Sequence, residues 1–219
     1  MCFSAEASFT TAALLSGMGI ATLRVAVSRS QFFLAAIPIL FAIQQFSEGI
    51  IWLGLNGDLV PNLMLFASEA TFLVFAFLIW PVWIPLSIML AEKNLFRKRV
   101  LMATLAGGVV LTYMNLMYGL SQPEVSVKVM NHSIQYVGNA PKQIFFYPFV
   151  TLLPCFISSI KNMPAFGIFI VVAYVVAEYF YSTNFVSVWC FFSALTSVSL
   201  YKILKDLAAS EVNDISSVN

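Results

Sequence analysis

The chain has 219 residues, of which 60% are hydrophobic and 10% charged, with a formal net charge of +1. A soluble domain carries about 25% charged residues. Charge this sparse cannot clothe a water-facing surface of this size, so the bilayer must be the main solvent. A net charge near zero, without a basic stripe and interleaved aromatics, excludes bulk attraction to nucleic acid.

A helix needs roughly 20 apolar residues to cross a bilayer. Seven stretches meet that need, and they predict helices over Ser4–Val27, Gln31–Leu55, Pro61–Leu90, Val100–Leu120, Gln143–Ile160, Ala165–Tyr181 and Phe185–Leu204. Pro81 and Pro85 predict a kink or an early end in the third. Pro148 and Pro154 make the fifth the weakest of the set. The first charge is Glu6 and no small-x-small cleavage pattern follows a short apolar core, so the first segment reads as a retained helix rather than a signal peptide.

Positive charge predicts the orientation. Arg24, Arg29, Lys93, Arg97, Lys98, Arg99, Lys161, Lys202 and Lys205 fall at odd-numbered connections or after the last helix, against Lys128 and Lys142 on the other side. The expected fold class is therefore all-α: a polytopic membrane protein forming a seven-transmembrane-helix bundle over residues 1–207, N-terminus out and C-terminus in. The long outer connection, residues 121–142, alternates Val125, Val127 and Val129 with Ser126 and Lys128, turns near Asn131-His132 and resumes at Ile134 and Tyr136. That pattern predicts a small outer β-hairpin lying as a lid over the helix ends. Residues 208–219 are polar and predict a disordered cytoplasmic tail.

Ionisable groups inside a membrane are expensive and mark function by default. Here they are Glu6, Glu48, Glu69 and Glu178, all expected in the outer half of the bilayer, where no helix carries a lysine or arginine and only Lys128 and Lys142 of the outer connection could approach from above. Glu48 stands out. Gln44 and Gln45 precede it by four and three residues and Trp52 follows by four, so all share one helical face. Two amides and a carboxyl would not be left toward lipid, so that face is expected to point into the bundle. Tyr174, Glu178 and Tyr181 share a face of the sixth helix, and Tyr113, Asn115 and Tyr118 lie at a similar level on the fourth. The bland reading is that such groups hold helices together; the sharper one is a ligand pocket.

Other chemistries fit poorly. His132 is the only histidine, whereas a zinc hydrolase site needs two or three imidazoles. The chain resembles the alkaline ceramidase superfamily in topology alone. Glutamates by themselves still suit calcium or magnesium. Lys202 and Lys205 lie too near the cytoplasmic end to carry retinal. Ser4, Ser8 and Thr11 line one face of the first helix as packing hydroxyls, without a histidine partner nearby. Cys155 and Cys190 sit in apolar runs as small hydrophobes, whereas Cys2 stands at the extreme N-terminus.

The start Met1-Cys2-Phe3-Ser4-Ala5 and the segment Gln45-Phe46-Ser47-Glu48-Gly49-Ile50-Ile51-Trp52 resemble a bacterial family of polytopic membrane proteins with a domain of unknown function, firmly over about the first 55 residues. The resemblance implies an inner-membrane, multi-pass protein with a special N-terminus. It directs attention to Cys2, Gln45, Glu48 and Trp52 and brings no activity with it.

The expected site is an outward-facing carboxylate pocket formed by Glu48, Gln45, Gln44, Trp52, Glu69, Glu178, Tyr174 and Glu6. It would bind or move a cation, proton or small solute without enzymatic chemistry. Two alternatives stand beside it. One is a membrane enzyme acting on lipid, thiol or quinone through Cys2 or a glutamate-bound metal. The other is a structural or sensory subunit with no ligand. The sequence names no cofactor, and the only partner it implies beyond a solute is the lipid bilayer.

Overall fold

The computed structural model describes residues 4–121, 126–130, 133–137 and 146–218. Helices α1 (Ala5–Val25), α2 (Arg29–Ala35) and α3 (Ile37–Leu55) open the chain. Ser4 caps α1 by accepting the Ala7 N–H at 3.2 Å. The predicted second helix is split at Ala36, just before Pro38, and the Ala35 carbonyl takes the Thr22 hydroxyl of α1 at 2.7 Å. α1 packs closely on α3: a Cβ on Gly19 would stand 2.8 Å from the Ile39 backbone nitrogen, so the contact requires glycine.

The third predicted helix is one run, Asn62–Ala91, made of α4 (Asn62–Val74), a π-helical turn (Phe75–Ile79) and α5 (Trp80–Ala91). It neither stops nor breaks at Pro81 or Pro85. The reason is local. Pro81 has no N–H for the carbonyls four and five residues back, those of Phe77 and Ala76. Neighbouring helices supply the donors instead. Asn115 Nδ2 donates to Phe77 O at 2.9 Å, Tyr147 Oη to Ala76 O at 2.5 Å, and Thr112 Oγ1 to Leu78 O at 3.0 Å. A backbone carbonyl in a membrane interior needs such a partner.

Helix α6 (Leu95–Ser121) starts a turn earlier than hydropathy predicts, because Arg97, Lys98 and Arg99 are helical despite their charge. After it come β1 (Ser126–Met130) and β2 (Ser133–Val137), an antiparallel pair in the register Ser126↔Val137 to Met130↔Ser133. The expected hairpin is thus present, while its turn residues Asn131 and His132 lie outside the described residues. Helices α7 (Phe146–Ile157) and α8 (Met163–Tyr181) follow. A 3-10 turn (Ser182–Asn184) leads to α9 (Phe185–Thr196), and a second (Ser197–Ser199) leads to α10 (Leu200–Val218). The segment expected as a tail from residue 208 is helical to Val218: Ile203, Leu204 and Ala208 are buried, and Glu211 accepts from Gln31 Nε2 at 2.6 Å and Ser28 Oγ at 3.2 Å.

Among the described residues four helical runs are long and apolar enough to cross a membrane: Arg29–Leu55, Asn62–Ala91, Leu95–Ser121 and Met163–Glu211; Phe146–Ile157 is apolar but shorter. Outward-facing Val109, Val110, Met114 and Met117 on α6, and Ile168, Phe169, Val172 and Val175 on α8, expose apolar surface that water would not tolerate at this extent. These features mark a membrane protein.

Polar ties gather at two poles. At one, Glu92 after α5 meets Ser158 and Ser159 after α7, Asn162 at the head of α8 donates to Asp206 of α10 at 3.2 Å, and Gln31 of α2 reaches Glu211. At the other, α3 meets α9 and the hairpin packs on the helix ends. The main core lies between them, around Leu34, Ile88, Leu101, Met163 and Leu204.

Candidate functional site

The site is built at the hairpin pole. Strand β2 turns Ile134 and Tyr136 toward the helices. Ile134 is fully buried beside Trp52, Phe72, Ala76 and Cys190, and the Tyr136 ring stacks on Phe72 with centroids 4.7 Å apart and planes 8° from parallel. Asn184, the residue before α9, pins the hairpin by donating to Met130 O at 2.5 Å and to Ser133 Oγ. Beneath this roof lies a cavity of about 210 Å³.

The cavity floor is the π turn. Ala76 and Phe77 line it, together with Asn115 and Tyr147, the residues whose side chains partner its carbonyls. A π turn of this kind often marks a functional position in a helix. Tyr174 and Glu178 of α8 form one side, and Phe185, Ser187, Trp189 and Cys190 of α9 another. The rings of Tyr147, Tyr174, Phe185 and Trp189 form one cluster. Trp189 meets each of the others at 5.3 Å between centroids. The edge-to-face contacts among them favour a fixed arrangement.

Glu48 stands immediately behind this wall. It is fully buried, accepts the Ser187 hydroxyl at 2.5 Å and accepts Gln45 Nε2 at 3.2 Å. Gln44, one residue earlier, accepts the Trp80 indole N–H at 2.8 Å. Gln44, Gln45, Glu48 and Trp52 are all buried, so the polar face of α3 does turn inward. Several polar atoms here have no hydrogen-bond partner among the described residues: Gln44 Nε2, Gln45 Oε1, Trp52 Nε1, Asn115 Oδ1, Asn184 Oδ1 and Trp189 Nε1. Buried polar atoms are ordinarily paired; of these six, Asn115 Oδ1, Asn184 Oδ1 and Trp189 Nε1 belong to residues that line the cavity, whereas Gln44, Gln45 and Trp52 lie outside its lining.

The remaining predicted residues separate from this group. Glu178 and Tyr174 are on the cavity, whereas Glu69 is half-buried on α4 and Glu6 is exposed at the start of α1, and neither lines it. Among the described residues no three or more histidine, cysteine, aspartate or glutamate side chains gather where a metal ion could be held. Asn115 turns inward while Tyr113 is exposed, so the two do not share a face. Cys155 and Cys190 are buried free thiols. Cys2, His132 and Lys142 lie outside the described residues. Ser187, Asn184, Tyr147 and Trp189 were not singled out by sequence; a serine 139 positions from its carboxylate partner carries no local signal.

A second buried carboxylate carries no local signal in the sequence either. Glu92, at the far pole, is buried and accepts from Asn94 N at 2.9 Å, Ser158 Oγ at 3.0 Å, Ser159 N at 2.7 Å and Ser159 Oγ. Burial pushes its carboxyl up, but these donors outweigh burial and hold it below the ordinary range. It is a structural clasp between the ends of α5 and α7.

A family model matches residues 1–214. The chain belongs to DUF6629, a family of unknown function. No curated protein and no solved structure matches this DUF6629 chain. The family spans both poles, the hairpin and the whole cavity, so the site described above lies entirely within the family's extent.

Proposed function

We propose that this DUF6629 protein is a seven-crossing inner-membrane protein, N-terminus out, whose roofed cavity binds a small solute from the outer side for uptake or sensing. The crossing number rests on adding α1 and α7 to the four runs that satisfy length and hydropathy alone, and on dividing Met163–Glu211 at the Ser182–Asn184 turn into two crossings, α8 and α9–α10. The two polar poles support it, because successive helices begin and end at alternate poles. Nine of the eleven basic residues belong to the pole of Glu92, and that excess favours its placement in the cytoplasm.

The observation that carries the reading is the cavity itself. It joins a carboxylate, Glu178, to a wall whose Ser187 is hydrogen-bonded to a second, fully buried carboxylate, and it lies under a pinned hairpin. At about 30 Å³ per water molecule, it holds about seven waters or a metabolite of similar bulk. Val186→Cys, in protein whose native cysteines are replaced, puts a thiol on the cavity wall. A small membrane-impermeant thiol reagent should modify it from the outside of right-side-out vesicles and not from the inside of inverted ones. Modification only from the inside would reverse the orientation, and none from either side would remove the solute-accessible cavity.

A further inference from the structure

Resting on the cavity reading above, we infer that the solute is a small organic ammonium, a cation with an apolar body, and that Glu178 with the Tyr147, Tyr174, Phe185 and Trp189 rings is what selects it. Three observations converge. Among the described residues the lining carries one carboxylate and no lysine, arginine or histidine. Four aromatic rings stand in mutual contact on the wall, with Trp189 at their centre. The buried oxygens Asn115 Oδ1 and Asn184 Oδ1 have no donor among the described residues, so the cavity offers acceptors to a ligand that brings donors or positive charge.

The physical argument compares ligand classes. An anion would meet Glu178 and the negative faces of the rings, and the described lining offers no cation to balance it. A bare metal ion requires a shell of several oxygens, whereas most of this lining is carbon and ring. A neutral apolar molecule would leave Glu178 and the two amide oxygens unanswered. An alkylammonium satisfies both halves of the site. Its charge lies near a carboxylate and against aromatic rings, an attraction that strengthens when desolvated, and its methyl or methylene groups fill the apolar remainder. The Trp189 N–H, which has no acceptor among the described residues, adds one donor, which suits an oxygen on the same solute. A volume of about 210 Å³ keeps the cation small.

The test uses the full-length protein in detergent, with binding followed by tryptophan fluorescence and by protection of Val186→Cys from modification. Probes are tetramethylammonium, choline and ethanolamine, set against 3,3-dimethylbutanol, the uncharged carbon counterpart of choline, and against acetate. At least one ammonium should bind ten times or more tighter than both the uncharged counterpart and acetate. Glu178→Gln should remove that preference and Glu178→Asp should restore part of it, which separates loss of charge from loss of fold. Equal binding of choline and 3,3-dimethylbutanol, preference for acetate, or no binding by any ammonium would overturn the inference. In each of those cases continued modification of Val186→Cys from outside leaves the solute-accessible cavity standing, so the two readings fail separately.

Discussion

Ser187 donates its hydroxyl hydrogen to Glu48 at 2.5 Å, joining the first turn of α9 to a carboxylate buried in α3. Gln45 Nε2 donates to the same carboxylate at 3.2 Å, and among the described residues no lysine or arginine shares the contact. The pair links the cavity lining to the polar face of α3, and it depends on residues 139 positions apart.

Glu48→Gln should keep the shape and an oxygen acceptor for Ser187, leaving stability near that of the parent. Glu48→Ala should strand the Ser187 hydroxyl and the Gln45 amide and lower stability by about 1–3 kcal/mol. Denaturant unfolding in a mixed micelle measures both. Equal stability of the alanine variant and the parent would show that the contact contributes nothing to the fold.

The Phe77 carbonyl has Asn115 in place of the N–H that Pro81 lacks. Asn115→Leu should therefore destabilise by about 1–3 kcal/mol, the penalty of a buried acceptor left without a donor. Pro81→Ala on that background should recover part of the loss, since an N–H returns at the missing position. A double-mutant cycle reads the coupling, and strict additivity of the two changes would refute the compensation.

Gly108 faces the Pro81 carbonyl so closely that an added Cβ would fall on the oxygen, whereas the same addition at Gly17 or Gly119 meets nothing within 4 Å. Gly108→Ala should lower the melting temperature, with a penalty of about 1–3 kcal/mol from overpacking. Gly17→Ala and Gly119→Ala should be neutral or stabilising by up to about 1 kcal/mol, as alanine favours helix over glycine. A similar response at all three positions would contradict the close approach of α5 and α6.

Glu92 gives a pH dependence whose sign follows from its lowered carboxyl. A group whose pKa is depressed by folding stabilises the native state fully above its unfolded pKa. That contribution is present above the ordinary 4.5 and is lost as pH falls through the lowered folded value. Glu92→Gln should reduce stability at neutral pH and flatten the acid limb of the profile below 4.5 relative to the parent. Parallel profiles for the two proteins would exclude Glu92 as the source of the acid sensitivity.

Periodicity made several of these features legible in advance. The inward turn of Gln44, Gln45, Glu48 and Trp52 follows from helical spacing and the penalty of facing amides toward lipid. The hairpin follows from two-residue alternation between two apolar runs. Other features depend on distant partners. Pro81 reads as a break until Asn115 and Tyr147 are seen to replace its missing donor. Glu92 reads as an ordinary interfacial charge until Ser158 and Ser159 are placed against it, although a carboxylate just past a helix C-terminus is disfavoured by the dipole and is a hint that other donors compensate. Residues beyond Leu204 have too little apolar character to count as membrane helix, yet Ala208 and Glu211 find partners across the chain ends.

The π turn at Phe75–Ile79 has a consequence for chain length. Such a turn holds one residue more than the α-helix around it. Deleting a single residue between Phe75 and Ile79 would restore plain helix with both flanks near their present register, whereas a deletion within α4 would swing everything on one side by about 100°, the angle per residue at 3.6 per turn. Trp80 would then leave Gln44, and the carbonyls of Ala76 and Phe77 would leave Tyr147 and Asn115. The residue count of α4 is therefore fixed by its neighbours, and the π turn is the place in this run where a single deletion is absorbed.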